Sequence, residues 1–176
     1  MSNILACLSG GVESTYGVYR LLTETIHDVT LFHLYFRNHP RYDGETEACE
    51  HIVNWLEENT RKFDWKSADL SYSGVNEITQ PLMSADICYT TITSANISVD
   101  EIAETFLITN EEYNKSTFDI PFIFDLFNLI LSRFPEINTK LVLDREVGKL
   151  DKTEIYEKLP EELRNHIHSN DKEYNV

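Results

Sequence analysis

The chain has 176 residues, 41 % apolar and 26 % charged, an ordinary balance for one domain with a buried core. No apolar run approaches the roughly 20 residues of a membrane-spanning helix, and Met1-Ser2-Asn3-Ile4 lacks the basic start of a secretory signal, so a cytoplasmic setting is expected. Thirty acidic against 15 basic residues give a formal net charge of −15, which repels polyanions and argues against direct nucleic-acid binding.

In chain order the pattern alternates strand and helix. Residues 3–8 are a short apolar run ended by Ser9-Gly10-Gly11, as expected of a buried strand reaching a turn. Residues 13–25 space Tyr16, Val18, Tyr19, Leu21 and Leu22 as a helix lying on a sheet does. Residues 29–36 are rich in β-branched and aromatic side chains and read as a second strand. Pro40, Asp43 and Gly44 mark a loop. Glu45 to Asn59 is an amphipathic helix with Ala48, Ile52, Trp55 and Leu56 on one face.

Further on, residues 65–73 suit a third strand. Residues 82–94 fit a helix opened by Pro81, or a strand around Ile87 to Ile92. Phe106 to Thr109 reads as a short buried strand, and Phe122 to Phe134 as an apolar helix whose stripe suits a core or a homodimer contact. Thr139 to Leu143 suits a last strand. Asp151 to Lys158 reads as a short helix with a capping box between Asp151 and Glu154, followed by another over Pro160 to His168 and a frayed tail over 169–176. Strands alternating with helices of this length predict a three-layer α/β/α domain over 1–168 with a mainly parallel sheet. Ligands bind such sheets at the carboxyl ends of the strands.

The Ser9-Gly10-Gly11-Val12-Glu13-Ser14 segment would occupy such an end. Its glycines allow a tight turn and close approach of main-chain N–H groups to a ligand. The helix start behind it favours phosphate, and Ser9 and Ser14 add neutral donors. The plainer reading is a Gly-Gly turn with a serine helix cap, and spacing alone divides the two evenly. The segment is neither GxxxxGK[ST] nor GxGxxG. Glu13 either complements the helix dipole or holds a magnesium ion beside the phosphates.

Leu8-Ser9-Gly10-Gly11-Val12-Glu13-Ser14-Thr15 after an apolar strand resembles the SGGxDS signature of the PP-loop ATP pyrophosphatases. Those enzymes cleave ATP between the α and β phosphates and adenylate a substrate. Within that superfamily the chain looks most like the 7-cyano-7-deazaguanine synthase family of queuosine biosynthesis. Supporting segments are Leu34-Tyr35-Phe36-Arg37-Asn38-His39, Glu47-Ala48-Cys49, Thr109-Asn110-Glu111-Glu112-Tyr113 and Leu150-Asp151-Lys152-Thr153-Glu154-Ile155. Together with the loop they span nearly the whole chain, Leu8 to Thr15 and Leu150 to Ile155 being the specific segments and the middle ones weak individually.

The resemblance implies a fold of the adenine nucleotide alpha hydrolase-like (HUP) type. It implies ATP and Mg²⁺ as ligands, with Ser9, Gly10, Gly11, Val12, Glu13, Ser14 and Thr15 at the phosphates. His33 and Arg37 would lie on the nucleotide side. Lys152 and Glu13 would act in catalysis, on a small 7-deazaguanine-like acid.

Three departures stand against it. Glu13 replaces the family's aspartate. Pro81 is followed by Leu82 and Met83 where the family has Pro-x-Arg-Asn. No cysteine follows Leu159, so the family's zinc site is absent and no zinc is expected. A catalytically inactive nucleotide-binding relative, working through a protein partner, is the alternative.

Several of these residues have plain readings too. Lys152 could be a solvated helix-start lysine, and Arg37 and Arg41 surface cations offsetting the acidic charge. His33 suits a satisfied core histidine whose neighbouring backbone could meet adenine. His166 and His168 alternate as ligands can, without enough companions for zinc. Cys7, Cys49 and Cys88 form no CxxC pair and read as buried thiols.

Overall fold

The computed structural model describes residues 2–37, 41–71, 101–104, 125, 128–133, 140–143 and 150–168. Its elements are β1 (Asn3–Cys7), α1 (Val12–Glu24), β2 (Asp28–Phe36), α2 (Tyr42–Asn59), β3 (Asp64–Leu70), β4 (Glu101–Glu104), β5 (Lys140–Leu143), α3 (Lys152–Lys158) and α4 (Glu161–Arg164). The five strands form one sheet in the order β3-β2-β1-β4-β5, with every neighbouring pair parallel. The chain winds outward from β1 through β2 to β3, then returns to the other side of β1 for β4 and β5. The order therefore reverses between β1 and β4, where a parallel sheet opens a crevice at its carboxyl edge.

The pleat explains why β1 is apolar from Ile4 onward. Ile4, Ala6 and Leu8 point to one face and join Val29 and Leu31 in the main core. Leu5 and Phe32 point to the other face and are just as buried, at 0 % and 2 % exposure. Val12, Tyr16, Val18 and Leu22 of α1 and Ala48, Cys49, Ile52, Val53 and Leu56 of α2 cover the first face. Arg61 closes the end of α1: its guanidinium donates to the Leu21 and Leu22 carbonyls, both at 3.1 Å. Ile155, Leu159 and Leu163 bring α3 and α4 into the same core, α3 lying against α1. The capping box is formed: Glu154 N–H donates to Asp151 at 2.8 Å, and Asp151 N–H to the Glu154 carboxylate at 2.9 Å.

The structure differs from the sequence-based expectations in three places. Asp43 and Gly44 are not loop residues but lie in the first turn of α2, where Asp43 and Glu45 complement the helix dipole. β4 lies at Glu101–Glu104, where the glutamates at both ends break any apolar run; Phe106 to Thr109 lies outside the described residues. The last helix runs only from Glu161 to Arg164. The segment 82–94 and the tail 169–176 also lie outside the described residues. Of Phe122 to Phe134, residues 125 and 128–131 are helical, with Leu131 buried and Leu129 exposed.

Because Ile155 has no exposed surface, Ile155→Ala should cost about 2–5 kcal/mol in urea unfolding. Ile26→Ala, at a residue 76 % exposed, should stay within about 0.5 kcal/mol.

Candidate functional site

The Ser9–Thr15 segment leaves the carboxyl end of β1 beside the switch point. Leu8 fixes its departure. The Leu8 N–H donates to the Phe32 carbonyl at 2.8 Å, and the Leu8 carbonyl faces His33 Nδ1 at 2.6 Å. A carbonyl only accepts, so Nδ1 carries the hydrogen. The Cys49 thiol lies 3.7 Å from the same carbonyl and 3.3 Å from Nδ1. Burial pushes the His33 pKa down, opposed by the bond to Leu8, and keeps the imidazole neutral. Burial, reinforced by Glu45 and Glu50, pushes the Cys49 thiol far up, so it is a packing group and no nucleophile.

Gly10 then turns with φ +84°. A Cβ there would sit 3.1 Å from both Ala48 Cβ and the Glu45 carbonyl oxygen, and 3.3 Å from Cys49 Sγ. The turn thus needs glycine for its conformation and for its contact with α2. The Gly10 carbonyl accepts from His168 N–H at 2.9 Å.

Hydroxyls knit the rest of the loop. Ser9 and Ser14 Oγ are 2.9 Å apart, and Ser14 Oγ accepts from Ser9 N–H at 3.1 Å. The Gly11 carbonyl accepts from Thr15 Oγ1 at 2.7 Å and Thr15 N–H at 3.0 Å. Thr15 is wholly buried, as are most of Val12 and Ser14, so their side chains shape the loop from within.

Gly11 is the N-cap of α1 and offers no side-chain cap. The N–H groups of Val12, Glu13 and Ser14 open the helix, where no intrahelical acceptor exists. That end carries a partial positive charge suited to an anion. The Glu13 carboxylate folds back over Gly11, with Oε2 3.5 Å from where a Cβ would stand. Its Oε1 lies 3.6 Å from Lys152 Nζ, both side chains about a quarter exposed. Lys152 is the first residue of α3, which packs on α1 and so brings the lysine to the loop.

Arg37 ends at the same edge but further out. Its guanidinium pairs with Asp69 at 2.8 Å and donates to Tyr42 Oη at 3.3 Å. Asp69 holds the Arg37 pKa above its ordinary value. Arg41 pairs with Glu45 at 3.2 Å. His33 is a buried core histidine between Tyr35 and Trp65. Beside it the β1 ladder stops at Cys7 opposite Phe32. By the alternation of a parallel ladder, Leu34 is the next residue to face β1, past its last rung.

His166 stacks on His51 with centroids 4.9 Å apart, and the His168 ring lies over Gly44. Among the described residues, no group of three or more His, Cys, Asp or Glu side chains could hold a metal ion. Cys49 is buried, as the sequence suggested, but its place against Gly10 and Leu8, the contact of Gly44 with His168 and the His168 main-chain bond had no signal in the local sequence. Comparison with protein-family models and with curated protein sequences finds no match.

Two outcomes follow from this geometry. Gly10→Ala should destabilise the fold by more than about 1 kcal/mol in urea unfolding, because strain and contact add. An unfolded histidine titrates near 6.5, and folded His33 lower. Its contribution is therefore full above about pH 6.5 and is lost as pH falls from there towards the folded value. Urea midpoints between pH 7.5 and 5 should fall more steeply for the natural chain than for His33→Asn, which keeps a donor to Leu8 but cannot titrate.

Proposed function

We propose that the chain is an ATP-binding enzyme domain of the PP-loop type that adenylates a small heterocyclic acid, releasing pyrophosphate and then AMP. The observation that carries this reading is the uncapped start of α1 behind the Gly10 turn, with Lys152 3.6 Å from Glu13 at the same spot. The all-parallel sheet and the burial of both faces of β1 support a three-layer fold of the HUP type.

In this reading the loop N–H groups receive the β and γ phosphates, and Lys152 neutralises charge that develops as pyrophosphate leaves. The main-chain groups of Leu34, past the last rung of β1, suit an adenine edge. The substrate carboxylate, of a 7-deazaguanine-like acid, attacks the α phosphorus as the bond to the bridging α–β oxygen breaks. An amine nucleophile then displaces AMP. Magnesium ions usually take one or two carboxylates plus phosphate oxygens; Glu13, a quarter exposed beside the loop, fits as one such ligand. A bound Mg²⁺ would neutralise charge on the departing pyrophosphate.

The Glu13–Lys152 pair also favours a second reading, in which the two charges satisfy each other and the domain binds nucleotide without turnover.

Incubation with MgATP, the heterocyclic acid and ammonia should yield equimolar AMP and pyrophosphate. Lys152→Ala should lower kcat by about 10²–10³-fold. ATP binding without AMP release would move the account to the second reading, and release of ADP would contradict both.

A further inference from the structure

The segment after α3 is anchored in the core and reaches the phosphate loop through its main chain. Leu159 and Leu163 are buried with almost no exposed surface. Arg164 ties the segment to itself, donating to the Leu159 carbonyl at 2.7 Å and to the Glu157 carbonyl at 2.5 Å. His166 then stacks on His51 of α2, their planes 21° apart. The next turn of chain delivers His168 N–H to the Gly10 carbonyl at 2.9 Å, while its ring lies over Gly44.

This explains a glycine inside a helix. Gly44 lies in the first turn of α2, and any Cβ there would run into the His168 ring. One segment therefore holds two things at once: the first turn of α2, and the carbonyl of the loop's only left-handed residue among those described.

We infer that residues 159–168 form a brace that sets the geometry of the phosphate loop, with His168 as a positioning residue acting through its main-chain N–H. Gly10 has lost its inward side-chain restraint by being glycine. Its peptide orientation is then fixed by the Leu8 anchor before it, the α2 contact beside it, and the His168 hydrogen bond on its carbonyl. With that bond broken, the Gly10–Gly11 peptide can rotate, and the N–H groups of the loop no longer converge. The ligand half of this inference rests on the nucleotide reading above; the loop half does not.

The test separates the N–H from the imidazole. His168→Pro removes the N–H donor, and His168→Ala removes only the ring. Amide hydrogen exchange of Gly10 to Ser14 is measured without ligand, and MgATP affinity by calorimetry. His168→Pro should speed exchange in the loop and weaken MgATP, each by about tenfold, the worth of one hydrogen bond. His168→Ala should change both by less than about twofold.

Should His168→Pro disturb the fold, an amide-to-ester replacement at the Ile167–His168 bond removes the N–H without changing a side chain or fixing φ, and should give the same result. Loop exchange that stays at the natural rate in both donor-less proteins overturns the brace. If the natural chain shows no MgATP binding, the nucleotide reading fails while the exchange result still decides the brace.

Discussion

The hydrogen bond from buried His33 to the Leu8 carbonyl fixes where the main chain leaves β1, and the candidate site is built outward from it. The bond is 2.6 Å long and lies on a neutral imidazole with 3 % exposure. In so dry a setting an unmade bond would leave two polar groups without water, at a cost of about 1–3 kcal/mol. The Leu8 peptide is therefore held in one orientation, and Gly10 must make its turn from that fixed point. Ala48 and Cys49 of α2 then stand so close that only glycine fits. The direction in which α1 starts, and with it the aim of its free N–H groups, follows from these contacts.

Such rigidity matters because the protein's overall charge opposes any anion. A net charge of −15 sets a repulsive field at long range, but that field is screened over about 8 Å at physiological ionic strength. Within that distance the loop presents main-chain N–H dipoles and the ammonium of Lys152. The nearby arginines are already engaged, Arg37 with Asp69 and Arg41 with Glu45. Binding would thus depend on preorganised dipoles more than on a basic patch, and any loosening of the loop would weaken it disproportionately.

Much of this arrangement was legible in the sequence, for physical reasons that differ by element. The apolar run of β1, the mixed β-branched and aromatic β2, and the amphipathic face of α2 announce themselves because burial dictates their composition. The capping box at Asp151 and Glu154 is readable because both partners lie within one turn. Asp43 and Gly44 misled because the same residues serve loops and helix starts. Gly44 is explained only by His168, and the anchoring of Leu8 only by His33 and Cys49, contacts between segments far apart in the chain. Lys152 and Glu13 are singled out together only through a family resemblance, since no local pattern links α3 to the loop; their 3.6 Å separation is a contact between segments far apart in the chain.

The most direct measurement is a titration of ¹⁵N-labelled protein with MgATP, and with adenosine as the control, followed by amide shifts. The account predicts that MgATP moves the Gly10, Gly11, Val12 and Glu13 signals most, and that adenosine, which has no phosphate, leaves these four in place. MgATP shifts that bypass these four amides, or no shifts at all, would contradict the claim that this loop is a phosphate site.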